Sequence, residues 1–152
     1  MTPLGLGDEM EACSKSFLGS IGSQTMAKAT EFCIGLDNKP GTLAKLCGAL
    51  KRAKVNIDAV SVSENAECCW VRMVASPAAT AKRVLGKARY HFCVQPVLTL
   101  AAHNRPGELE RAASKLGRAG VNINYVYGSN SKGVPSTLVL SVSDLKRATA
   151  VL

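Results

Sequence analysis

Residues 37–57 read DNKPGTLAKLCGALKRAKVNI, and residues 103–123 read HNRPGELERAASKLGRAGVNI. The two stretches align without a gap, Pro40 over Pro106 and Val55 over Val121, each pair 66 residues apart. A repeat of this length is too long for a solenoid unit and suits a small domain written twice. Pro40 lacks a backbone donor and Gly41 tolerates positive φ, so Asp-Asn-Lys-Pro-Gly reads as a tight loop. Leu43, Leu46, Cys47 and Leu50 then recur at i, i+3, i+4 and i+7, which is one face of a helix. Leu109, Ala112, Ala113 and Leu116 repeat that spacing. Thr42 is the expected cap of the first helix.

Outward from this pair, TEFCIGL (30–36) reads as a strand entering the first loop, and Val55–Val62 as a strand leaving the helix. SENAE (63–67) turns the chain into a further strand, CCWVRMVA (68–75). SPAATAKRVLG (76–86) is a second helix, with Ser76 as its cap and Pro77 at its first helical position. The apolar run YHFCVQPVLTLAA (90–102) closes the first copy near Val94 and, past Pro96, opens the second. Each copy thus has the order βαββαβ, that of a ferredoxin-like sandwich. The second copy ends in SDLKRATAVL (143–152), a second helix with no fourth strand after it.

The expected fold is therefore α+β, two ferredoxin-like βαββαβ sandwiches in tandem, residues 26–95 and 96–152, the second lacking its last strand. Either the sheet is truncated there or a neighbouring segment fills the place, and an uncovered edge favours association. Residues 1–25 are rich in Gly and Ser, lack periodicity, and are expected to be a disordered leader. Met26 followed by AKATEFCIGL looks like a chain start.

Apolar residues make up 47% and charged residues 20%, as in soluble globular proteins, and no apolar run approaches the ~20 residues that span a bilayer. Asp8, Glu9 and Glu11 argue against a targeting presequence, so a cytoplasmic protein is expected. The net charge of +8 is densest at KRAK (51–54) and KRVLGKAR (82–89), which read as solvated helix faces or as a field for an anionic partner. Six cysteines form no C-x-x-C pair and only two histidines are present, so neither a metal site nor a cofactor is expected. Cys33 and Cys93 fall in strand-like runs, where buried reduced thiols are expected. No phosphate-binding Gly loop or nucleophile–base pair stands out, so no enzyme is expected. RNA-binding domains of similar strand order stack bases on aromatics of their central strands. Here only Phe32 and Trp70 qualify, and STLVLSV (136–142) has none, so nucleic acid is not an expected partner.

Asn-Lys-Pro-Gly-Thr-Leu, an amphipathic helix, and then Val-Asn-Ile resembles the ACT domain, a small regulatory module that binds amino acids. Asn104-Arg105-Pro106-Gly107 through Val121-Asn122-Ile123 resembles it equally, and the whole is similar to stand-alone tandem ACT proteins with no attached enzyme. The resemblance implies an amino acid or similar small metabolite bound at ACT domain interfaces. The implied contacts are Asp37, Asn38, Gly41, Thr42, Leu43 and Asn56 in the first copy. In the second they are His103, Asn104, Gly107, Glu108, Leu109 and Asn122.

Physical chemistry agrees with a zwitterion. A loop opening a helix presents unpartnered N–H groups and a dipole that favour a carboxylate. Gly41 and Gly107 let a ligand approach the backbone, and Asn38 and Asn104 offer both a donor and an acceptor. Asn56 and Asn122 are expected beside the same loops. Some serine-sensing members carry a histidine two residues before the loop Asn; Leu36 and Ala102 stand there, so serine is not implied. His103 shares its place with Asp37, so the two sites need not prefer one ligand. A homodimer or a regulated protein is the expected partner. The alternative is a structural or partner-docking module without a small ligand.

Overall fold

The computed structural model describes residues 25–65, 68–131 and 134–152. The expected disorder of residues 1–25 falls, but for Thr25, outside the described residues. Six strands, β1 (Met26–Asp37), β2 (Asn56–Asn65), β3 (Cys68–Ser76), β4 (Phe92–Ala102), β5 (Ile123–Ser131) and β6 (Val134–Val142), form one antiparallel sheet in the order β2-β3-β1-β4-β6-β5. Four helices, α1 (Thr42–Arg52), α2 (Ala78–Lys87), α3 (Glu108–Arg118) and α4 (Leu145–Val151), complete the α+β fold.

The strand the second copy lacks comes from the front of β1. In the first copy β2, β3 and β1 are joined by Phe92–Val94, which pair with Ile34–Phe32. In the second, β5, β6 and the end of β4 are joined by Met26–Ala29, which pair with Leu100–Val97. β1 and β4 are therefore each the first strand of one sandwich and the last strand of the other. The gap expected to favour association is closed within the chain, and the edge strands of the sheet are β2 and β5. Pro96 is tolerated in the centre of this sheet for a geometric reason. The Gly35 N–H donates to the His91 carbonyl (3.1 Å) and the Ala101 N–H to the Thr25 carbonyl (2.8 Å), which makes Thr30–Pro96 a non-hydrogen-bonded pair. The Pro96 nitrogen thus faces β6, whose pairing with β4 begins only at Leu98.

Strand alternation sends Phe32, Ile34, Leu36, Val71 and Met73 to one face, against Leu46 and Leu50 of α1 and Ala81 and Leu85 of α2. Leu98, Leu100 and Leu140 pack likewise on Ala112, Leu116 and Ala148. Each of these fully buried leucines contributes about 2 kcal/mol. The leading stripe positions depart from the expectation: Leu43 and Leu109, in the first turn of their helices, are 39% and 43% exposed.

The caps also differ from the sequence reading. Gly41, at φ 86°, takes the N-cap of α1, and Thr42 is its first helical residue, with its hydroxyl turned back to the loop. Pro77 takes the N-cap of α2, while the Ser76 hydroxyl donates instead to Asp58 Oδ1 (3.0 Å). At the other ends, the Val55 N–H returns to the Leu50 carbonyl (3.0 Å) and the Val121 N–H to that of Leu116 (2.9 Å), across left-handed Lys54 (φ 56°) and Gly120 (φ 68°). The valine of each Val-Asn-Ile thus seals the end of a helix.

Among the described residues the opposite face carries no helix. There the sheet curls until its edge strands β2 and β5 meet, and Val74, Val97 and Val139 are buried with Ala59 and Tyr127 packed on them. Cys33 and Cys93 sit directly opposite one another on this face. Cys33 is half-buried and Cys93 exposed, so the expected burial of Cys93 is corrected: no helix covers it.

Candidate functional site

The two Pro-Gly loops leave β1 and β4, and those strands run antiparallel, so the loops lie at opposite ends of the sheet. The 11 residues of β4 alone extend about 35 Å. The interface between the two copies within one chain therefore contains neither loop.

At the first loop, the Thr42 hydroxyl lies 2.9 Å from the Asp37 carbonyl oxygen and 3.0 Å from that of Lys39, drawing the loop shut. Asn38 Nδ2 donates to Glu64 Oε2 at 3.3 Å. Lys39 and Asp37 form an ion pair at 3.4 Å with both side chains 73% exposed, worth at most about 1 kcal/mol. At the second loop, Gly107 (φ 91°) is the N-cap of α3, His103 and Asn104 are exposed, and Glu108 Oε2 accepts from Arg111 Nη2 at 2.7 Å. Neither α1 nor α3 is capped by a side chain.

Asn56 and Asn122 do not stand beside these loops. Asn38 bonds Glu64 near the end of β2, whereas Asn56 opens β2 opposite Ser76, eight residues or about 26 Å away. Asn122 likewise bonds Ser143, while the second loop follows Ala102, which pairs with Ser136. The cause is the connection itself: a helix that follows a strand runs back along it, so the next strand starts at the far end. Both asparagines instead serve a strand irregularity. Asn56 Nδ2 donates to Asp58 Oδ1 (2.7 Å) and Asn122 Nδ2 to Asn124 Oδ1 (3.2 Å), and Asp58 and Asn124 are the residues at which each strand slips register.

The first loop borders a cleft of about 220 Å³. Asp37, Thr42 and Lys45 line one side, and Arg89, Tyr90 and His91 the other. The second group follows from topology: β4 pairs with β1, so the turn that enters β4 arrives beside the point where β1 leaves. Arg89 holds φ 57°, a left-handed helix terminus that aims the chain back into the sheet. Lys45, Arg89 and His91 make no side-chain hydrogen bond or ion pair among the described residues. The sequence reading missed all four of Lys45, Arg89, Tyr90 and His91. Its available signal was KRVLGKAR running into the β4 sequence, which read as a solvated face or as a field for an anionic partner.

A second polar concentration lies on the helix-free face. Glu31, 0% exposed, accepts from Tyr127 Oη at 2.8 Å and from Gln95 Nε2 at 2.6 Å, and also from Tyr125 Oη. The Arg72 guanidinium stacks 4.6 Å from the centre of the Tyr125 ring. Burial, then the bonds to Glu31, push the Tyr125 hydroxyl up to about 12 and that of Tyr127 higher still. These bonds join the two copies, and beside them a cleft of about 200 Å³ lies between Ile57–Val60 of β2 and Tyr127 and Gly128 of β5. No cluster of three His, Cys, Asp or Glu side chains fit to hold a metal, and no helix long and apolar enough to cross a membrane, occurs among the described residues.

The chain matches the family model described as an ACT domain pair over residues 27–152. Its fold is similar to that of protein BT0572 from Bacteroides thetaiotaomicron, at TM-score 0.78 and 25% identity, covering 84% of this chain and 88% of that one. It is also similar to the ligand-free regulatory subunit of aspartate kinase from Thermus thermophilus, at TM-score 0.64 and 15% identity, covering 85% and 91%. For E. coli aspartokinase III in complex with lysine and aspartate the values are 0.51 and 12%, covering 85% of this chain and 31% of that one. No curated protein sequence matches it.

Proposed function

The chain belongs to the ACT domain pair family, and from that premise we propose that it is a non-catalytic regulatory protein of the cytoplasm that binds an amino acid or a similar small metabolite. ACT domain pairs are regulatory modules. The two ACT domains are assigned to residues 26–95 and 96–152, each completed by a strand of the other. The observation that carries the reading is the cleft at the first Pro-Gly loop, lined by Asp37 and by Thr42 at the start of a helix that no side chain caps. Asp37, Asn38, Gly41, Thr42 and Leu43 are its proposed contacts, and His103, Asn104, Gly107, Glu108 and Leu109 those of the second loop. Because the loops lie far from the interface within the chain, a second copy or a regulated protein is the partner that would bring another surface against either of them.

A thermal-shift screen of the purified protein against the twenty amino acids tests this. One amino acid raising the melting temperature with dose, an effect lost in Asn38→Ala, is the expected result. A flat response at millimolar ligand sinks the reading. It would favour a docking module, a second reading supported by Asn56 and Asn122, whose amides donate to Asp58 and Asn124 at the strand irregularities.

A further inference from the structure

Resting on that amino-acid reading, we infer that the first-loop cleft takes an acidic amino acid, and that the second loop does not. The argument is one of charge balance. Lys45 comes from α1 and Arg89 from the turn that enters β4, and no carboxylate among the described residues pairs with either. Asp37 is the one carboxylate lining the cleft, and its exposed contact with Lys39 leaves it open to an ammonium. Two unneutralised cations and one carboxylate match a molecule with two carboxylates and one ammonium. A basic amino acid would bring a surplus cation against Lys45 and Arg89, and a neutral one would leave one of them without a partner. The cleft of about 220 Å³ also lies below the roughly 300–1,000 Å³ of sites for drug-sized ligands, so it suits a molecule of amino-acid size.

The second copy provides the contrast. Arg111 occupies the place of Lys45, and Glu108 that of Thr42. Glu108 holds Arg111 at 2.7 Å, so the cation that is free in the first copy is already neutralised in the second.

Calorimetric titration of the full chain tests the assignment, with L-aspartate and L-glutamate set against L-asparagine, L-glutamine and L-lysine. One of the acidic pair should bind about tenfold more tightly than its amide, and L-lysine should give no heat. Lys45→Ala and Arg89→Gly should each weaken that binding by about tenfold, and Arg111→Ala should leave it unchanged. Arg89→Gly removes the charge at a left-handed position that glycine favours, so a melting temperature equal to or above the parent's separates lost binding from lost folding. Amides binding as tightly as the acids, or affinity indifferent to Lys45 and Arg89, would overturn this inference and leave the amino-acid reading standing. Inorganic phosphate binding as tightly as the best amino acid would also overturn it, by making the cleft a simple anion site. Silence with every amino acid would overturn both.

Discussion

The edge strands β2 and β5 are the same segment of the duplicated unit, yet they meet the helix-free face with opposite equipment. Where β2 carries Ala59 and Ser61, β5 carries Tyr125 and Tyr127. The tyrosines cross the curled sheet to Glu31 on β1, and Ala59 packs in the cluster that holds Tyr127. A second pair of tyrosines would compete for the cleft of about 200 Å³ that Ala59 and Tyr127 now line. Duplication supplies two matching halves, and departure from the repeat is what lets them close on each other.

Removing the acceptor should break this arrangement most severely. Glu31→Ala removes the acceptor of two half-buried hydroxyls and of the Gln95 amide and should cost about 3 kcal/mol in urea denaturation, with separate transitions for the two halves as the informative form of failure. Alkali attacks the same cluster from the other side. The Tyr125 hydroxyl is raised in the folded state from an ordinary 10.0 to about 12. Below pH 10 folded and unfolded chains hold this proton equally; above it the unfolded chain releases the proton first, so stability should fall between pH 10 and 12. Melting temperature against pH, with tyrosinate absorbance, checks this, and the fall should shrink in Tyr125→Phe.

Making the halves alike should also cost stability. Ala59→Tyr overpacks the face, with an expected loss of about 2 kcal/mol. Tyr127→Phe keeps the shape, deletes one bond to Glu31, and should cost about 1.5 kcal/mol. The smallest effect lies where the halves diverge in backbone. Lys54 holds the left-handed position that the second copy gives to Gly120. Lys54→Gly should therefore raise stability by up to about 1 kcal/mol and Gly120→Lys lower it by a similar amount, both read by chemical denaturation.

Much of the fold was legible because it is written locally and twice. Leu46 and Leu50 recur as Ala112 and Leu116 on a helical period, and Pro-Gly with Val-Asn-Ile bounds each helix. What escaped depends on partners distant in the chain. Met26–Ala29 becomes a strand only against Leu100–Val97, and its short MAKA carries little pattern of its own. Glu31 lies in a run that reads as apolar, and nothing near it announces Tyr125 and Tyr127. At the candidate site, Asp37 and Thr42 could be found from the loop alone, while Arg89, Tyr90 and His91 reach it only through the pairing of β4 with β1. Asn56 and Asn122 were misplaced because sequence nearness in the repeat was read as nearness in space.

The exchange of strands between the two sandwiches has a consequence for synthesis. On the ribosome β1 is made before the rest of the sheet, but Leu100, the partner of Met26, is added 74 residues later. At about 5–20 residues per second that is a delay of roughly 4–15 s. Through this interval the front of β1 carries an unpaired edge, while its back half gains a partner as soon as β3 is made. The first sandwich cannot finish its own first strand until the second has begun, so the nascent chain must hold one half of a strand in reserve for a domain not yet written.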